Sequence, residues 1–203
     1  QHPPKGCVVG FTGLAVDQPT QRQLPPLADL VSSMKIGPTD MLSSQPDMGA
    51  VISSEHRERV AGLIDQGEAA GAKVLTDGRM SKVSEAPEGF YLGPTLIDEV
   101  APNNPLMNTE VFGPVLAVMR AKTLEEAIAE ANKQSFGNGA AIFTNSGKAA
   151  REFRRNVSAG MVGINVAVPA PLAYFPFTGW NDSFFGDFFF NDTATAEIYT
   201  MRK

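Results

Sequence analysis

Glu110 and Phe112 stand two residues apart and run into Gly113-Pro114, in a turn after the proline-rich run from Pro102 to Pro105. An anionic acceptor can bind a pair of ribose hydroxyls, and a flat apolar ring beside it can wall off a nicotinamide-like ring. The plain alternative is a solvated glutamate next to a core phenylalanine, and spacing alone favours it, because short motifs recur often by chance. The chain has one cysteine, Cys7, and two histidines, His2 and His56. That excludes an internal disulfide and leaves no zinc-binding set, and no carboxylate cluster offers a metal site. His56, between Glu55 and Arg57 on the polar side of a helix, reads as a solvated surface histidine. Gly10-Phe11-Thr12-Gly13 is too short for a phosphate-binding fingerprint and reads as turn or strand.

The elements that must position these residues follow from hydrophobic periodicity. Phe11 to Val16 reads as a strand, and Leu24 to Lys35 as a helix whose first turn takes Pro25 and Pro26. A turn-rich stretch from Ile36 to Ala50 precedes a helix that starts at Ser53 or Ser54 and runs to Gly71. Its Val60, Leu63 and Ile64 face inward, with Glu55, Arg57, Glu58 and Arg59 in water. Lys73 to Thr76, Phe90-Tyr91-Leu92 and Thr95-Leu96-Ile97 read as strand pieces. Val115 to Met119 is a strand, and Thr123 to Glu126 is a capping-box pattern opening a helix. A strand at Ala140 to Thr144, a helix from Gly147 to Val157 and a strand at Met161 to Val168 follow. This β-α-β-α-β order predicts an α/β fold, a parallel sheet with flanking helices, and ligands beyond the carboxyl ends of the strands.

Composition narrows the function classes. With 203 residues, 43% of them apolar, the chain can bury one core. A net charge of −5, with no basic run longer than Arg154-Arg155, gives no footprint for nucleic acid or an anionic membrane, so a small-molecule partner is expected. No stretch approaches the roughly 20 apolar residues that span a bilayer, and the start of the chain lacks a signal-peptide core. A cytoplasmic location is expected.

Asn108-Thr109-Glu110-Val111-Phe112-Gly113-Pro114-Val115 resembles the E-x-F-G-P motif of the NAD(P)-dependent aldehyde dehydrogenases. The resemblance continues at Met48 to Ile52 with Glu55-His56-Arg57, at Gly93-Pro94-Thr95-Leu96, and at Phe136-Gly137-Asn138-Gly139 with Ala141 to Thr144. It extends through Gly160 to Val166, and together these segments cover most of residues 7 to 187. Gly163 to Tyr174 and Gly179 to Asp187 are most similar to the CoA-acylating branch that acts on malonate and methylmalonate semialdehydes.

The resemblance implies a reaction in which a cysteine thiolate adds to a semialdehyde, hydride passes to NAD, carbon dioxide is lost, and coenzyme A takes the acyl group as acetyl- or propionyl-CoA. In it Cys7 is the nucleophile, with its backbone N–H on the developing oxyanion. Glu110 binds the nicotinamide ribose, Phe112 walls the nicotinamide, and Phe177 lines the substrate pocket. A thiol suits this chemistry, since it attacks as thiolate and leaves when a second thiol arrives. Homo-oligomers, dimers or tetramers, are implied as well.

The chain also departs from the pattern. Pro4-Lys5-Gly6-Cys7 stands where the family reads Gly-Gln-x-Cys, and the branch often has an arginine before the cysteine; Lys5 is one residue out of place and cannot make a bidentate contact. A small inert residue near the start of the chain is the competing reading of Cys7. The chain resembles the C-terminal, catalytic-domain portion of a longer enzyme, residues 1–187, without the upstream NAD-binding part. By itself it is expected to show little or no dehydrogenase activity. Residues 188–203 read either as an oligomerisation strand or as a translated adapter sequence. The alternative function is a non-catalytic fragment or degenerate homologue that acts only in subunit association.

Overall fold

The computed structural model describes residues 12–16, 18–39, 45–167, 169 and 179–183, with the backbone alone for 12–16 and 18–23. Cys7, Phe177 and the tail 188–203 lie outside the described residues. The chain divides into two compact units, one holding residues 17–120 and the other the residues from 121 onward, with the first strand split between them.

The unit holding 17–120 contains α1 (Gln18–Ser33), α2 (Ser54–Ala69), β2 (Lys73–Thr76), β3 (Thr95–Asp98), α3 (Pro105–Asn108) and β4 (Val115–Ala121), after β1 (Thr12–Val16). The sheet order is β1-β4-β3-β2. β3 runs parallel to β4, pairing Thr95 with Val115 and Ile97 with Ala117, while β2 is antiparallel to β3. All four residues of β3 are buried, as a strand inside a sheet covered on both faces requires. Its one charged residue, Asp98, is paired with Arg120 on the neighbouring strand.

α2 forms where the hydrophobic spacing places it. The Ser53 hydroxyl accepts the His56 backbone N–H at 3.1 Å and caps the helix. Val60, Leu63 and Ile64 are buried one turn apart. Gly71, at φ 95°, then takes the left-handed conformation that ends the helix and admits β2.

Three elements differ from the sequence reading. α1 begins at Gln18, so Pro25 and Pro26 lie inside it. Proline's φ suits a helix, but each one removes an N–H rung and crowds the carbonyl four residues back, so the pair is carried inside α1 at a cost. Phe90-Tyr91-Leu92 is not a strand, although Tyr91 and Leu92 are buried. Its backbone bonds go to loops, Val51 N–H to Phe90 O and Tyr91 N–H to Gly89 O, both at 2.9 Å. The proline-rich run holds α3, opened by buried Asn104, whose Oδ1 accepts the Leu106 N–H at 3.0 Å, with Pro105 in the first turn.

The second unit contains α4 (Leu124–Asn132), β5 (Gly139–Ile142), α5 (Gly147–Asn156) and β6 (Met161–Ile164). β5 and β6 are parallel, in register from Gly139 with Met161 to Ile142 with Ile164, and α5 is their crossover. Phe153 of α5 is fully buried, and α5 packs against α4. Thr123 caps α4 by accepting the Glu126 N–H at 3.1 Å, while the Glu126 carboxylate reaches back to the Lys122 N–H at 2.7 Å. The single β-α-β-α-β sheet expected from 115 to 168 is thereby corrected. Both edges of β4 are occupied, by β3 and β1, and β5 and β6 form a two-stranded sheet of their own.

Candidate functional site

The segment carrying Glu110 and Phe112 connects α3 to β4, and α2 holds it by its main chain. Arg59 donates from its two terminal nitrogens to the carbonyls of Val111 and Glu110, each at 2.8 Å. His56 Nε2 lies 2.7 Å from the Phe112 carbonyl. A carbonyl oxygen only accepts, so Nε2 carries the hydrogen. Three successive carbonyls are thus bound by two side chains three residues apart on one helix face. On the other side of Phe112, Gly113 packs against Val60 of α2, and the Pro114 carbonyl accepts the Thr95 N–H of β3 at 2.8 Å.

Phe112 has φ 55°, the left-handed region that costs a bulky residue about 1–3 kcal/mol. Its side chain is 78% exposed, so it is not a core phenylalanine. The ring meets the His56 imidazole edge-on, with centroids 6.4 Å apart at 74°. Glu110 is exposed, and its carboxylate makes no hydrogen bond or ion pair with the described residues. A free acceptor and an exposed apolar ring therefore share one pinned backbone. That arrangement fits one hydroxyl-bearing sugar and one planar ring of a ligand.

The polar face of α2 is not given over to water as the sequence reading had it. Arg57 Nε donates to the Tyr91 carbonyl at 2.8 Å. Arg79 ties the far end of the helix, pairing with Asp65, with Glu68 at 3.0 Å and with Asp77 at 2.6 Å. The hydrogen bond from Arg79 holds the Asp77 carboxyl below its ordinary range, and the same bond raises the guanidinium. At the helix start, Glu55 is lowered first by a backbone N–H and then by the Ser53 hydroxyl. His56 and Arg59 are the residues that residue-type reasoning missed. Their three-residue spacing was visible, but their acceptors are main-chain oxygens.

In the second unit the structure joins two segments that are distant in sequence. The Gly137 N–H donates to the Ser183 hydroxyl at 3.0 Å, and the Gly137 carbonyl accepts the N–H groups of Gly160 and Trp180 at 2.9 and 3.0 Å. A β-carbon on Gly137 would stand 2.6 Å from the Trp180 β-carbon, which explains glycine there. Asn165, at φ 57°, uses its side-chain amide as a backbone mimic, accepting the Thr144 N–H at 2.8 Å and donating to the Thr144 carbonyl at 3.0 Å. Among the described residues no group of three or more His, Cys, Asp or Glu side chains is placed to hold a metal ion. No helix among them is long and apolar enough to cross a membrane.

Comparison with known proteins gives consistent matches. The profile of the aldehyde dehydrogenase family matches residues 8–203. Malonate-semialdehyde dehydrogenase of Halalkalibacterium halodurans is 39% identical over 197 residues, which is 97% of this chain and 40% of that protein. The crystal structure of methylmalonate-semialdehyde dehydrogenase from Oceanimonas doudoroffii superposes with a TM-score of 0.83 at 40% identity, over 87% of this chain and 36% of that one. Betaine aldehyde dehydrogenase from Staphylococcus aureus, in complex with NAD+, gives 0.80 at 29% identity, over 86% and 34%. The chain thus spans well under half the length of these relatives.

Proposed function

Because the chain belongs to the aldehyde dehydrogenase family, we propose that it supplies the nucleophile and part of the cofactor site of an NAD-dependent, CoA-acylating semialdehyde dehydrogenase. The substrates in this reading are malonate or methylmalonate semialdehyde, and the products acetyl- or propionyl-CoA. The names of the relatives support it. Residues 1–187 are the catalytic-domain portion in this reading, and the complete enzyme is a cytoplasmic homo-oligomer.

Cys7 acts as thiolate, forming a carbon–sulfur bond to the aldehyde carbon, and its backbone N–H helps hold the oxyanion. The chemistry that NAD would supply is hydride acceptance, and loss of hydride from the adduct carbon would leave a thioester on Cys7. Glu110 accepts the hydroxyls of the nicotinamide ribose, and the Phe112 ring walls the nicotinamide and keeps water from one side of it. After loss of carbon dioxide, the thiolate of coenzyme A attacks the thioester carbon, the Cys7 carbon–sulfur bond breaks, and Cys7 leaves as thiolate. Phe177 lines the substrate pocket. The observation that carries the reading is the exposed ring of Phe112, held in left-handed backbone beside a Glu110 carboxylate that has no partner among the described residues.

The last step run backwards tests the nucleophile without NAD. The full chain is incubated with propionyl-CoA and weighed intact. One propionyl group is expected on the protein, removed by hydroxylamine and absent from Cys7→Ala. No adduct at any pH between neutral and mildly alkaline overturns Cys7 as the acyl carrier.

A further inference from the structure

We propose that His56 is the positioning residue for Phe112, its Nε2–H bond to the Phe112 carbonyl keeping that residue in left-handed backbone and so fixing where the exposed ring stands. A phenylalanine does not hold φ 55° unaided. The ring, 78% exposed, has little packing with which to hold it. The residues on either side are fixed by other partners, Glu110 and Val111 by Arg59 at 2.8 Å, Gly113 by Val60, and Pro114 by the Thr95 N–H. At Phe112 itself the polar contact is the 2.7 Å bond from His56, with the imidazole edge against the ring. His56 is itself anchored, because its backbone N–H is the one capped by Ser53. A rigid helix end thereby sets the backbone of one exposed loop residue. The inference depends on the cofactor reading only for its purpose, which is to keep the ring where a nicotinamide would meet it.

The test is amide hydrogen exchange on the full chain, which needs neither NAD nor Cys7, so a failed acyl transfer and a failed positioning role are told apart. His56→Ala is expected to speed exchange of the Val115 N–H, which donates to the Gly113 carbonyl at 2.7 Å at the end of this loop, by roughly fivefold to tenfold, the order set by one lost hydrogen bond, with α2 and β3 unchanged. His56→Gln, which keeps an N–H donor, is expected to restore slow exchange. In a Phe112→Asn chain, where asparagine tolerates the left-handed region, His56→Ala is expected to have little effect. Unchanged loop exchange in His56→Ala overturns the proposal, as does an equal effect in the Phe112→Asn chain or a uniform speeding across α2 and β3. If His56→Ala does not fold, His56→Gln decides: loop exchange near the wild-type rate supports the role, and faster exchange overturns it.

Discussion

A β-carbon built on Gly113 would stand 2.9 Å from both methyl carbons of Val60, which has no exposed surface. The loop that carries Glu110 and Phe112 therefore reaches α2 only because residue 113 has no side chain. Gly113→Ala is expected to push the loop outward or Val60 inward, at a cost of about 1–3 kcal/mol in urea unfolding. Val60→Ala in the same chain opens the space again, so the double variant should lose less than the two single losses combined. Additive losses would show that the two residues do not press on each other.

Two glycines of α2 predict opposite signs from the same substitution. A β-carbon on Gly62 would meet nothing within 4 Å, whereas on Gly67 it would lie 2.2 Å from Leu106 Cδ1 and 2.7 Å from Leu106 Cγ. Gly62→Ala should stabilise by about 0.5–1 kcal/mol, the usual gain of alanine over glycine inside a helix. Gly67→Ala should destabilise, since Leu106 is 2% exposed and sits in α3 beside the Asn104 amide, which itself donates to the Gly67 carbonyl at 2.9 Å. Paired thermal melts check both, and the same sign for the two would contradict the packing of α3 on α2.

Arg79 makes stability depend on pH through Asp77. The hydrogen bond from Arg79 depresses the Asp77 carboxyl in the folded chain. A depressed carboxyl contributes stability that is fully present above its unfolded value, near pH 4, and is lost as pH falls through the folded one. Arg79→Leu should therefore cost on the order of 1 kcal/mol near neutral pH, because the carboxylate partners are partly exposed. The difference from wild type should narrow below about pH 4. A gap that stays constant down to pH 3 in urea titrations, roughly one unit below the ordinary aspartate value, would contradict this coupling.

How much of this was legible depends on whether the information lies in side-chain type. The start of α2 at Ser53, the cap of α4 at Thr123 and the span of β2 are written in capping and periodicity, and the structure has them there. The short helix α3 was not legible, because four residues carry no periodicity and asparagine and proline mark turns as well as helix starts. The division of β4 from β5 and β6 was not legible, since periodicity marks a strand but not its neighbours. Glu110 and Phe112 could be singled out by type and spacing. The hold that His56 and Arg59 have on them could not, because every residue presents the same carbonyl oxygen.

Phe112 offers a direct measure of strain at the candidate site. Its left-handed φ of 55° is one that glycine adopts without penalty, and its ring is mostly exposed, so removing the ring forfeits little burial. Phe112→Gly releases the strain but adds freedom to the unfolded chain, which offsets part of the gain. The net expectation is a stabilisation of up to about 1 kcal/mol, read as a raised urea midpoint with an unchanged slope. Phe112→Ala keeps the backbone penalty and should show no such gain. If both variants lose stability equally, the ring has packing that outweighs the strain, and Phe112 belongs to the structure of the loop more than to a ligand.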